Sequence, residues 1–135
     1  MLDRIDLQIE VPAVSASDLV LPAPLEGSAE VRARVTAARE RQRDRLHGMG
    51  VNNVRTNAET SGRLLEEIAK LDAEGMALLA QASQTLMLSA RGFHRTLKVA
   101  RTLADLDGTE QVGRMHIAEA LSYRGETLRR QRMAA

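Results

Sequence analysis

The chain has 135 residues, about the length of one domain, with 44 % apolar residues, 27 % charged residues and a formal net charge of +1. Phe93 and Tyr123 are the only aromatic residues, and cysteine and tryptophan are absent. This excludes disulfide frameworks, thiolate metal sites and thiol catalysis, and leaves Leu, Val, Ile, Ala and Met to build a core, which suits close-packed helices better than a β-sandwich.

Seventeen of the 19 basic residues are arginine, with Lys70 and Lys98 the exceptions. Arginine forks suit phosphates and carboxylates, but a GC-rich coding bias is the favoured account of the skew. The near-neutral total argues against an unaided, strongly electrostatic nucleic-acid binder. Apolar stretches run for only a few residues, so no membrane span is expected. Asp3, Arg4 and Asp6 interrupt the opening pattern, so it does not read as a signal peptide, and a cytoplasmic location is expected.

From Ile5 the chain alternates, placing Ile5, Leu7, Ile9 and Val11 on one face of an expected strand that Pro12 ends. No second strand is evident, so this one reads as the last strand of a sheet lying in an absent upstream part, detached and largely mobile. Residues 12–27 hold all three prolines and read as a linker, with a short extended piece at Leu19 to Leu21. Ser28 is the expected N-cap, and Glu30 a first-turn acid, of a helix to about Leu46 with a thin apolar stripe: Val31, Val35, Ala38 and Leu46. Residues 48–59 read as a polar loop.

A helix from about Ser61 to Lys70 should bury Leu64, Leu65 and Ile68. Asp72 should cap the next, through about Leu86, with Met76, Leu79, Ala80 and Ser83 on one face. Ser89 should cap a third from Ala90 to about Leu106, stopped by Asp107-Gly108. A short last helix opens at Gly113 or Arg114 and carries Met115, Ile117, Ala118, Leu121 and Tyr123, ahead of a basic tail from Gly125. The expected fold is all-α: a small bundle of about four to five helices, preceded by the detached strand and linker.

Self-sufficient catalysis finds no support. There is no phosphate-cradling Gly-x-x-x-x-Gly-Lys-Ser/Thr loop, and Gly48-Met49-Gly50 follows a helix, as a turn would. His47, His94 and His116 lack ligand spacing, so no metal site is expected. No nucleophile elbow occurs, and the adjacent Glu66 and Glu67 diverge by about 100° on a helix.

The helix from Ala90 is the informative segment. Phe93, Leu97, Ala100, Leu103 and Ala104 cluster on one side, and Arg91, Arg95, Lys98 and Arg101 fill an opposite arc. Arg91 sits in the first turn, where the helix dipole disfavours a cation. The arc reads either as a solvated face, partly neutralised by Asp105, or as a surface meeting an anion, and spacing alone leaves both open.

The residues also carry a resemblance. Leu2-Asp3-Arg4-Ile5-Asp6-Leu7 with Glu10-Val11-Pro12 resembles the end of the AAA+ core in magnesium-chelatase-like proteins. The run from Ser28 to Val35, with Arg39-Glu40-Arg41-Gln42, is similar to the helix that follows there. Leu88 to Leu106 (LSARGFHRTLKVARTLADL) is the most specific match, and His116 to Arg124 (HIAEALSYR) closes the pattern. The resemblance spans nearly the whole chain and points to the magnesium-chelatase-like competence proteins.

It implies that residues 1–27 are a remnant of the AAA+ core plus linker, and residues 28–135 a helical C-terminal lid closing over ATP. Arg91 matches the sensor-2 arginine that reaches the γ-phosphate, with Arg95 and Arg101 as neighbours that compete for that match. Arg4 matches the arginine finger inserted into the adjoining subunit's site. The implied parent is an ATPase using ATP with Mg²⁺ in a homo-oligomeric ring, a hexamer by family habit. It would act on DNA by branch migration in natural transformation, or as a chelatase-like remodeller. The phosphate loop, the acidic metal motif and sensor 1 are not in this chain. A monomer without ATPase activity or tight nucleotide binding is therefore expected. The rival readings are a stand-alone helical nucleic-acid-binding module and a protein-interaction module. The first draws on the arginines of the first helix and on Arg129, Arg130 and Arg132 in the tail. Interleaved Glu30, Glu40 and Asp44, and the lack of stacking aromatics, weigh against it.

Overall fold

The computed structural model describes residues 5–125. Arg4 and the basic tail from residue 126, with Arg129, Arg130 and Arg132, lie outside the described residues. The described chain is all-helical: α1 (Ser28–Gly48), α2 (Gly62–Ala69), α3 (Ala73–Thr85), α4 (Ala90–Asp107) and α5 (Arg114–Ser122), with 3-10 turns at Asp18–Val20 and Asn57–Glu59. None of these helices is long and apolar enough to cross a membrane.

Helix α4 is the central element, packed against α5, α1, α2 and the Asn57–Glu59 turn, while α3 packs on α5. The core is aliphatic, as the composition requires: Leu46, Leu65, Ile68, Leu79, Leu97, Val112 and Ile117 are its large buried members, with Ala100, Ala104 and Ala120 fully buried among them. The α2–α3 and α4–α5 connections are tied by a parallel bridge between Leu71 and Val112. Asp72 N donates to Val112 O at 3.1 Å and Val112 N to Lys70 O at 3.1 Å.

Helix boundaries follow local chemistry. Asp72 Oδ1 accepts from Gly75 N at 2.6 Å, and Ser89 Oγ accepts from Gly92 N at 3.0 Å, each satisfying an orphan N–H of a first turn. Gly108 ends α4 in the left-handed region at φ 74°. Helix α1 begins one residue earlier than expected. Gly27 is its N-cap, and Glu30 reaches back to accept from Gly27 N at 2.9 Å.

Several faces differ from the sequence reading. On α3 the buried residues are Gly75, Leu79 and Ala82, whereas Met76 and Ala80 are exposed. Helix α5 buries Ile117 and Ala120 and leaves Met115 and Ala118 outside. On α1 only Ala38, Gln42 and Leu46 are buried. Val31 and Val35 are exposed because the first half of this 21-residue helix extends past the bundle. The loop after α1 is not merely polar surface. Val51 and Val54 pack on the core, and Asn57 and Thr60 are buried.

The expected strand from Ile5 to Val11 is absent, because no partner strand exists among the described residues. The segment instead lies against α4 and the end of α5. Gln8 N donates to Tyr123 O at 2.9 Å, and Asp6 pairs with Arg95. The expected extended piece at Leu19 to Leu21 is a 3-10 turn over Asp18–Val20, with Leu21 alone extended. Asp18 Oδ2 anchors that turn by accepting from Ser15 Oγ at 2.6 Å and from Ser15 N at 2.7 Å, which together hold its carboxyl below the usual range.

Candidate functional site: a basic pocket between α2 and α4

The first two turns of α4 and the start of α2 enclose a shallow pocket. Arg91, His94, Arg95 and Lys98 line it from α4, and Ser61 and Leu65 from α2. Residues 91, 94, 95 and 98 recur at helical spacing and share one side of α4, so a single helix presents three cations and an imidazole together. No carboxylate lines this pocket.

Each cation has a different status. Arg91, at the second position of α4, is exposed and makes no ion pair with any described residue. Lys98 Nζ donates to Ala58 O at 2.8 Å, which ties α4 to the Asn57–Glu59 turn. Arg95 is largely withdrawn from solvent, with its Nη1 at 2.9 Å from Asp6 Oδ1. That Nη1 atom is buried and has no well-directed hydrogen bond, so Asp6 offers it a charge contact rather than an aligned partner. Ser61 precedes α2 without its side chain capping the helix, so its hydroxyl is left to face the pocket.

Arg101 does not belong with them. The sequence places it on the same basic arc, but it is fully buried. It forms an ion pair with Asp105 at 3.0 Å and donates to Glu110 O at 2.6 Å and Thr109 O at 2.7 Å. Burial pushes its pKa down, and the adjacent Asp105 partly restores it. Asp105 also accepts from Asn57 Nδ2 at 2.8 Å and is ion-paired to Arg45 of α1. Arg41 Nη1 donates to the Asp105 carbonyl at 2.8 Å. This network fastens α1, α4 and the α4–α5 loop together, and its full burial keeps Arg101 out of reach of a ligand in the pocket. The sequence signal for it is the spacing of four between Arg101 and Asp105, flanked by the buried Ala100 and Ala104.

What the pocket can do chemically follows from its donor set. Guanidinium, ammonium and hydroxyl groups without carboxylates suit an anion, above all a phosphate. They do not suit Mg²⁺, and among the described residues no group of three or more His, Asp or Glu is arranged to hold a metal. The pocket's three cations fit the phosphate end of a nucleotide. Ser61, and Asp6 as the carboxylate that meets Arg95 from outside the lining, are what sequence reasoning missed, since neither lies within the periodic arc of α4.

Comparison with known proteins places this geometry in a family. The family model described as magnesium chelatase, subunit ChlI C-terminal, matches residues 25–124. The chain is 40 % identical over 124 residues to competence protein ComM of Haemophilus influenzae, covering 91 % of this chain and 23 % of that protein. It is 40 % identical over 126 residues to the uncharacterized protein YifB of Escherichia coli, with the same two coverages, 91 % and 23 %. An uncharacterized protein of Mycobacterium bovis is 41 % identical over 132 residues, covering 96 % of this chain and 25 % of that protein. The chain thus spans about a quarter of the length of the curated relatives it matches.

Proposed function

The chain belongs to the magnesium chelatase ChlI C-terminal family, as a C-terminal domain of the ComM-like kind, and from that premise we propose that it is the ATP-sensing lid of a ring-forming AAA+ motor. The observation that carries the reading is Arg91: an exposed guanidinium without an ion pair among the described residues, in the first turn of α4, beside Arg95 and Lys98. A cation there works against the helix dipole, and a terminal phosphate offsets that cost.

ATP with Mg²⁺, bound by the AAA+ core of the parent protein, supplies the phosphoryl group to be hydrolysed. Arg91 contributes a fixed positive charge to the γ-phosphate, and Lys98, held by Ala58 O, and Ser61 frame its approach. Because α4 is the packing centre of the bundle, a force on Arg91 moves the domain as one body. Arg4, outside the described residues, acts by resemblance as the finger in a neighbouring subunit's site. The parent is proposed as a cytoplasmic homo-oligomeric ring, a hexamer by family habit. ComM is by name a competence protein, so DNA is the favoured substrate and chelatase-like remodelling the alternative.

The test uses the full-length parent protein. ATP hydrolysis is compared for wild type, Arg91→Ala and Arg4→Ala, alone and mixed with a subunit defective in its own nucleotide pocket. Arg91→Ala is expected to lower turnover by at least about tenfold. Arg4→Ala is expected to lose activity alone and regain part of it in the mixture. Unchanged turnover in both variants overturns the reading and returns the arginines to a solvated face.

A further inference from the structure

The segment before α1 does not hang free. Asp6, at the rim of an apolar groove beside the basic pocket, contacts the pocket residue Arg95 at 2.9 Å. Immediately after it, Leu7 and Ile9 border this groove, which is floored by Val99, Leu103 and Leu106 of α4 and closed by Tyr123. Gln8 N pins the segment to Tyr123 O at 2.9 Å. Residues 6–9 thus form a strap whose contacts include a charge contact, a backbone hydrogen bond and partial apolar cover. Leu7 is 49 % and Ile9 70 % exposed, so the apolar contribution is small.

The charge contact is also imperfect. Arg95 Nη1 is buried yet lacks a well-directed hydrogen bond, while Asp6 is about half exposed. A phosphate oxygen entering beside Arg91, one helical turn away, brings more negative charge and more acceptor directions than a single carboxylate. We propose that Asp6 is the resident counter-ion of Arg95, and that a phosphate-bearing ligand at the Arg91 pocket displaces it, releasing residues 6–9 from the groove of α4 and Tyr123. The pocket would then couple anion occupancy to the segment leading into α1. This inference rests on the proposed phosphate contact at Arg91 and adds to it the means by which occupancy is passed on.

The test uses the 135-residue chain with inorganic tripolyphosphate as the probe. Affinity is read by calorimetry and strap docking by hydrogen exchange at the Gln8 amide. In the wild type, saturating tripolyphosphate is expected to speed Gln8 exchange. Asp6→Asn is expected to speed it without ligand and to tighten tripolyphosphate binding about tenfold, or 1.4 kcal/mol. Arg91→Ala is expected to weaken binding while leaving Gln8 protected in the free chain. Binding that depends on Arg91 but leaves Gln8 exchange unchanged, with Asp6→Asn binding no tighter, overturns the displacement and leaves the phosphate contact standing. Absence of binding in both the wild type and Asp6→Asn overturns the displacement, while the Arg91 contact to core-bound ATP stands or falls on the turnover of Arg91→Ala in the full-length parent.

Discussion

Arg101 and Asp105, one turn apart on α4, form an ion pair at 3.0 Å in which neither side chain retains any exposure to solvent. Two further partners converge on the carboxylate, Arg45 from α1 and Asn57 from the following turn. Asp105 is therefore the shared anchor of three segments. Asp105→Ala would leave two arginines and an amide facing a buried vacancy, and is expected to destabilise the fold by about 3–5 kcal/mol. Asp105→Asn, which keeps the shape and loses the charge, should cost less. Urea denaturation of both variants checks this, and a loss below about 1 kcal/mol for Asp105→Ala would show that the network is incidental.

Arg91 carries the opposite expectation. It is exposed and sits against the positive end of the α4 dipole, so Arg91→Ala should raise the stability of the isolated domain by about 0.3–1 kcal/mol. A shift in thermal midpoint reads this directly. A clear destabilisation would mean that Arg91 serves the fold rather than a ligand.

Two glycines separate crowding from freedom. A Cβ at Gly75 would lie 2.7 Å from Val112 O and 3.2 Å from Gly113 C, backbone atoms that the Leu71–Val112 bridge holds in place. Gly75→Ala gains helix propensity of about 1 kcal/mol, but overpacking costs about 1–3 kcal/mol, so a net loss is expected. Gly48, at the end of α1, has nothing within 4 Å of such a Cβ. Gly48→Ala should stabilise by up to about 1 kcal/mol. Equal effects at the two sites would contradict the close approach of α3 to the loop before α5.

The alkaline limit of stability involves Tyr123. Its hydroxyl donates to Glu119 Oε1 at 2.7 Å, and that hydrogen bond, then desolvation, then the Glu119 charge, raise its pKa above the ordinary value. The folded state thus holds this proton more tightly than the unfolded chain does. The associated stability is fully present below the unfolded value of about 10 and is lost as pH rises through the folded pKa. Because Tyr123 is the sole tyrosine and tryptophan is absent, near-ultraviolet absorbance titrates it alone. A midpoint above the ordinary value is expected in the wild type, returning toward it in Glu119→Ala.

Helix existence and most helix ends were legible without the structure, because they rest on local chemistry. Asp72 and Ser89 cap α3 and α4 through contacts three residues away, and Gly108 supplies the left-handed stop of α4. Faces on short or weakly amphipathic helices were harder. Met76 and Met115 are apolar yet exposed at 54 % and 76 %. A helix rich in small residues offers more than one apolar stripe, and the neighbouring element chooses between them. The pattern from Ile5 to Val11 carried a strand's alternation, but a strand is a property of two segments and its partner is not among the described residues.

The basic arc of α4 shows where local information stops. Arg91, Arg95, Lys98 and Arg101 are neighbours on a helical projection, and the sequence alone determined that they share a side. It also determined an aliphatic helical bundle, through its two aromatics and its capping residues. Only the tertiary structure decided which of those cations faces solvent and which does not. Arginines of α1 reach the C-terminal half of α4 at Asp105, so the same side that is open at Arg91 is closed at Arg101. Burial depends on what lies across from a residue, and periodicity along one helix holds no information about the helix that packs on it.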